Sequence, residues 1–151
     1  MLPGTSWKLA VILADADGKS TFQVIDVNLT PIPYSADLKV TFGDYGYDPT
    51  EKLIYADVTG CPEGAELYYS LAYSFNENNK YDVADLQVSA LNGDYPFTKV
   101  SESNIVNGCY TYESVFNQNT RKQERYLIFA VVKDNKIGDL QAVKIEIPAK
   151  S

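Results

Sequence analysis

Two stretches of the chain share one pattern of apolar and polar positions. In Tyr126 to Pro148, YLIFAVVKDNKIGDLQAVKIEIP, two apolar-rich runs flank the polar turn Asp134-Asn135-Lys136, and a proline closes the second run. The layout recurs in Trp7 to Pro31, WKLAVILADADGKSTFQVIDVNLTP. Laying Trp7 on Tyr126 sets Leu9 on Ile128, Val11 on Ala130, Leu13 on Val132 and Asp15 on Asp134. After a one-residue difference in the turn, Phe22 to Leu29 falls on Leu140 to Ile147. Short β-rich runs on either side of a turn predict a hairpin, here used twice.

Between the two copies the pattern stays short in period. Pro31-Ile32-Pro33 interrupts it, and because proline cannot continue a sheet ladder this predicts a module boundary near Tyr34. Leu38, Val40 and Phe42 alternate with Lys39 and Thr41 and predict a strand, followed by a turn-rich loop over Gly43 to Pro49. Lys52 to Thr59 predicts a strand with Ile54, Ala56 and Val58 on one face, and Glu66 to Phe75 another with Leu67, Tyr69, Leu71 and Tyr73 together. Val83 to Leu91 fits either a helix or a strand; Asn92-Gly93 reads as a turn after it and favours strand. Asp94 to Gly108 reads as a long irregular connection and Cys109 to Phe116 as a strand. No sustained stretch places apolar residues at i, i+3, i+4 and i+7, so the expectation is an all-β sandwich. The organisation expected is a β-hairpin over residues 1–33 and a complete sandwich module over residues 34–151.

Composition narrows the function classes. The 151 residues suit one ordinary domain, and 45% hydrophobic content suits a packed core. A formal charge of −7 argues against nucleic acid and anionic membrane as partners, because both select clustered Lys and Arg. No run approaches the roughly 18 apolar residues that span a bilayer, so no membrane insertion by this segment is expected. The chain has no histidine, which removes Ser-His-Asp and Cys-His machinery and most zinc sites. No phosphate-cradling motif is present, and no cofactor is expected. Asp15-Ala16-Asp17-Gly18 has a superficial calcium-loop look, but counting Gly18 as the sixth loop position puts Leu13 and Val24 where carboxylates are needed; a hairpin turn explains it better. Asn28-Leu29-Thr30 matches a glycosylation sequon, poorly placed at a strand end before Pro31.

The two cysteines, Cys61 and Cys109, lie beside turns at strand ends, and the residues leave open one disulfide or two free thiols. Tyrosine is the informative excess, at 12 residues. Tyr55, Tyr69, Tyr73, Tyr110, Tyr112 and Tyr126 fall in strand patterns and read as packing residues. Tyr45, Tyr47 and Tyr95 fall in predicted loops, where aromatic faces beside Asp and Asn suit stacking on a sugar or docking on a partner.

The run Tyr126-Leu-Ile-Phe-Ala-Val-Val-Lys-Asp, a turn, then Gln141-Ala-Val-Lys-Ile-Glu-Ile-Pro resembles the last two strands of a fibronectin type III or related immunoglobulin-like module, most nearly those of gut-bacterial surface lipoproteins. The resemblance covers about Leu38 to Pro148. It implies an immunoglobulin-like β-sandwich with an extra N-terminal hairpin, and a tyrosine corner at Tyr126 whose hydroxyl ties back to the backbone. Two features depart from the family: the only tryptophan is Trp7, which matches Tyr126 in the first copy, and Asp94 to Gly108 lengthens the module. The hairpin of residues 1–33 then resembles the end of a preceding module, expected to pack against the complete module or to add to a sheet edge of its own or a neighbouring chain. The function implied is a non-catalytic adhesion, interaction or spacer module of an exported, cell-surface bacterial protein with a protein or glycan partner. The alternative is a carbohydrate-binding accessory module using Tyr45, Tyr47 and Tyr95. An enzyme built from paired carboxylates stands third, since no spacing singles out a pair.

Overall fold

The computed structural model describes residues 2–151, and the chain divides into two compact units, Met1–Ile32 and Pro33–Ser151. Strand accounts for 47% and helix for 11%, so the protein is mostly β, built of antiparallel sheets; none closes into a barrel among the described residues.

The first unit is a single hairpin of β1 (Ser6–Ala14) and β2 (Ser20–Asn28). Asp15 organises its turn: one carboxylate oxygen accepts from the Asp17 and Lys19 N–H groups at 2.9 Å each, and Gly18 takes a left-handed backbone at φ 78°. The acidic turn is thus held by its own amides. Cross-strand pairing sets Trp7, Leu9, Val11 and Leu13 opposite Val27, Ile25, Gln23 and Thr21, so one face is apolar apart from its end. The other face carries Lys8 paired with Asp26 near its base and Ile12 opposite Phe22 near its tip. Leu9, Ile12, Leu13, Phe22, Val24 and Ile25 are all exposed.

The second unit contains two sheets packed face to face. The smaller has the order β3 (Thr41–Asp48), β4 (Leu53–Thr59), β7 (Tyr110–Val115). The larger runs β10 (Gln141–Ile147), β8 (Gln123–Lys133), β5 (Glu66–Ala72), β6 (Thr98–Lys99), with β9 (Lys136–Ile137) also on β8. Ile54, Ala56, Val58 and Tyr112 of the smaller sheet share a buried cluster with Leu67, Leu127, Phe129, Val131, Ile145 and Ile147 of the larger. Aromatic edges bridge the layers: Phe42 on Phe129 at 5.6 Å, Tyr69 on Tyr112 at 5.0 Å, Tyr110 on Phe129 at 6.3 Å.

The sandwich-like arrangement follows the expected strands, with four differences. Val83–Leu91 is helical: α1 spans Lys80–Asn92 and contacts β8 and β9. Asn79 caps it by accepting from Asp82 N–H and donating to the Asp82 carboxylate at 2.6 Å, while Gly93 at φ 69° closes it. Asn92-Gly93 is therefore a helix end, not a hairpin turn. Its buried residues are alanines, Ala84 and Ala90, with Gln87 between them donating to Gly138 O at 3.2 Å, so the apolar stripe was weak in the sequence. This second layer explains why Leu127 to Val132 is buried without a break: alternate residues face the other sheet, and the rest lie on the side where α1 packs.

Second, Gly43 to Asp48 is strand rather than loop. The strand begins at Thr41, later than Leu38, and a bulge between Phe42 and Tyr45 shifts the register. Gly46 sits opposite Tyr55, and a side chain there would lie 3.3 Å from the Tyr55 hydroxyl, which is why a glycine occupies this strand position. Leu38 and Val40 are still buried, because the Gln141 side chain bonds both the N–H and the carbonyl of Val40 as a neighbouring strand would. Beside it, a Cβ on Gly138 would lie 1.7 Å from Leu38 O, so only glycine fits this approach.

Third, the long connection after α1 is partly ordered as β6 on β5 and a 3-10 turn at Glu102–Asn104. Fourth, the register corrects the overlay of the two hairpins. Tyr126 pairs with Lys144, whereas Trp7 pairs with Val27, which the overlay sets on Ile145. The equivalent cross-strand pairs are Leu9–Ile25 with Leu127–Val143, and Val11–Gln23 with Phe129–Gln141. Two features set the offset: β8 enters β9 through the tight Asp134-Asn135 turn, both at positive φ, where the first hairpin uses a longer Asp15-anchored turn, and the register on β8 shifts by one residue between β9 and β10. A one-residue slip exchanges faces, so Trp7 is not the counterpart of Tyr126. Nor is a tyrosine corner formed at Tyr126. Its side chain lies on the face opposite Leu127 and Phe129, and its hydroxyl makes no backbone hydrogen bond among the described residues.

Candidate functional site

The three tyrosines singled out in the sequence do not form one site. Tyr45 is on β3, 43% exposed, edge-on to Phe42 with ring centres 6.1 Å apart. Tyr47, two residues on, donates its hydroxyl to Phe116 O at 2.7 Å and stands edge-on to the Phe116 ring at 6.4 Å, so it ties β3 to the end of β7. Tyr95 follows α1 on the far side of the larger sheet and is 92% exposed. The cysteines also stand apart in environment. Cys61 is buried in the core cluster, Cys109 is exposed with its thiol 3.7 Å from Asn107 O, and both are free thiols. Burial pushes the Cys61 thiol up, which keeps it protonated and unreactive.

The sandwich has two differently furnished ends. At one, a hollow of about 700 Å³ lies between Gly60–Ala65 and the segment from Glu102 to Gly108. Cys61 N–H donates to Gly108 O at 3.1 Å across its floor, and Lys133 Nζ donates to Glu63 O at 2.8 Å on its rim. Its charged lining residues are Glu63 and Glu102, both exposed, and no group of three His, Cys, Asp or Glu close enough to hold a metal occurs among the described residues.

At the other end an arginine lies against two rings. Tyr73 follows β5 immediately, and continuing the β5–β8 register past Ala72–Tyr126 sets it opposite Arg125. Phe116 follows β7 and is pinned by its N–H to Lys52 O at 2.8 Å. The Arg125 guanidinium lies 4.1 Å from the Tyr73 ring centre and 4.9 Å from that of Phe116, so it spans the two sheets. Tyr47 extends the series through its edge-on contact with Phe116. Tyr73, read in the sequence as a packing residue, is 81% exposed because its strand ends at Ala72. The four residues are scattered over 79 positions, from 47 to 125, and no local motif joins them; the excess of aromatics flanking strand ends was the only sequence signal.

The remaining polar network is structural. Lys99 and Tyr68 both donate to the Glu66 carboxylate, at 2.9 and 2.7 Å, and hold it below the usual range, Lys99 most strongly. Burial, reinforced by Glu66, pushes the Tyr68 phenol up to about 12. These contacts fasten β6 and the segment after α1 to β5. Neither the family models nor the curated proteins compared with this chain give a match.

Proposed function

We propose that the protein is a non-catalytic, immunoglobulin-like interaction module of an exported bacterial surface protein, working through the β1–β2 hairpin. One observation carries the reading: the hairpin exposes large apolar residues on both faces, with Leu9 at 50% on one and Ile12 at 66% on the other. Two-stranded hairpins are marginal alone, and contiguous exposed apolar surface on a soluble chain marks a contact surface. The resemblance of Tyr126 to Pro148 to the final strands of fibronectin type III modules supplies the surface-protein context. Multi-angle light scattering over a concentration series tests the reading on the full chain and on a Leu9→Ser/Ile25→Ser variant. Association that the variant loses, with unchanged stability of the second unit, is the expected result. A wild-type chain that stays monomeric and binds no apolar dye would refute it.

The glycan-binding alternative through Tyr45, Tyr47 and Tyr95 has less support, since Tyr47 is engaged with Phe116 and the other two lie on different layers. Carboxylate-pair catalysis has no specific observation in its favour.

A further inference from the structure

We propose that the Tyr73–Arg125–Phe116 stack binds the carboxylate of an acidic sugar, a uronic-acid unit of a glycan. This goes beyond the hairpin reading and uses residues that the tyrosine-loop alternative does not. A guanidinium is planar and carries five N–H donors in its own plane. Ring centres 4.1 and 4.9 Å from its central carbon hold the guanidinium against aromatic surface from both sheets, which restricts its orientation and leaves its in-plane donors to find polar partners. One donor is used inside the chain, Nη1 to Glu124 O at 2.7 Å.

The carboxylates are arranged so that Arg125 has none. The chain holds 20 Asp and Glu against 13 Lys and Arg, yet no ion pair among the described residues includes Arg125. Glu124 beside it is taken by Lys144 at 3.0 Å, and Glu146 by Lys122 at 3.2 Å. A pre-oriented, unpaired guanidinium edge matches a planar carboxylate, which it can hold by two parallel hydrogen bonds. A sugar is favoured over a peptide terminus by what flanks the stack. Tyr73 leaves most of its ring to solvent, as suits the C–H surface of a pyranose, and the next residues, Ser74 and Asn117, are exposed hydroxyl and amide groups suited to sugar hydroxyls.

Isothermal titration of the full chain with oligogalacturonate tests this, with a neutral galactose oligomer and a peptide bearing a free C-terminal carboxylate as comparisons. Saturable binding of the acidic oligomer alone is expected, weakening as salt is raised. Arg125→Gln and Arg125→Lys should each lower affinity roughly tenfold or more, because Lys keeps the charge without the planar fork. Tyr73→Ala removes an exposed ring, leaves the fold intact, and should also abolish binding. No saturable binding, equal binding of the neutral oligomer, tighter binding of the peptide, or binding that survives Tyr73→Ala would each overturn the proposal. The Leu9→Ser/Ile25→Ser variant should bind the oligomer like the wild type, which keeps failure here separate from failure of the hairpin reading.

Discussion

The two hairpins of this chain follow the same apolar pattern and end in opposite environments. Leu127 and Val143 in β8–β10 form a cross-strand pair within the two-sheet core, and Leu127 is completely buried. Leu9 and Ile25 form the matching pair in β1–β2, and both are exposed. Even the neighbouring pair corresponds, with Gln23 where the second hairpin has Gln141. In the second hairpin that glutamine holds the backbone of Val40; in the first, Gln23 makes no side-chain hydrogen bond among the described residues. Pattern decides that a strand pair forms and which face is apolar. What covers that face comes from elsewhere in the sequence.

One substitution made at both sites gives the largest contrast. Leu127→Ala should cost about 2–5 kcal/mol in denaturant unfolding, and Leu9→Ala less than about 1 kcal/mol. Equal costs would mean that the first hairpin is covered in solution, and the comparison would fail. Gly138→Ala sharpens the description of the second site, since the added Cβ cannot share space with Leu38 O; a loss of about 1–3 kcal/mol or more is expected in the same assay. Gln141→Ala should cost about 1–2 kcal/mol by leaving Val40 without its partners, whereas Gln23→Ala should leave the unfolding midpoint unmoved.

A further contrast lies in pH. The Tyr68 phenol is raised from 10.0 to about 12, so the folded state holds its proton more tightly than the unfolded chain. Its contribution is fully present below pH 10.0 and is lost as pH rises through about 12. Unfolding midpoints should fall over that window and fall less steeply in Tyr68→Phe. A Tyr68→Phe profile that superimposes on the wild type would remove the assignment.

Helix α1 and strand β3 are faint in the sequence for related reasons. The buried side of α1 is carried by Ala84, Gln87 and Ala90, small or polar residues that satisfy packing by close approach rather than hydrophobicity. Such a face has no strong period, and the cap residues Asn79 and Gly93 were its clearer signs. In β3 Gly46 looks like a loop residue because its close neighbour, the Tyr55 hydroxyl, belongs to a different strand. Tyr73 and Arg125 are each ordinary in the sequence, and only the continuation of the β5–β8 register brings them together.

By itself the sequence determined the strand-rich character, the alternating core faces of β4 and β7, and the recurrence of a hairpin, because side-chain alternation and turn chemistry act over a few residues. The tertiary structure alone decided the cross-strand register of each hairpin, the layer that α1 adds, and the placing of one arginine against two rings from different sheets. Those depend on which distant segments meet, and a linear pattern carries the tendency of each segment without its neighbours.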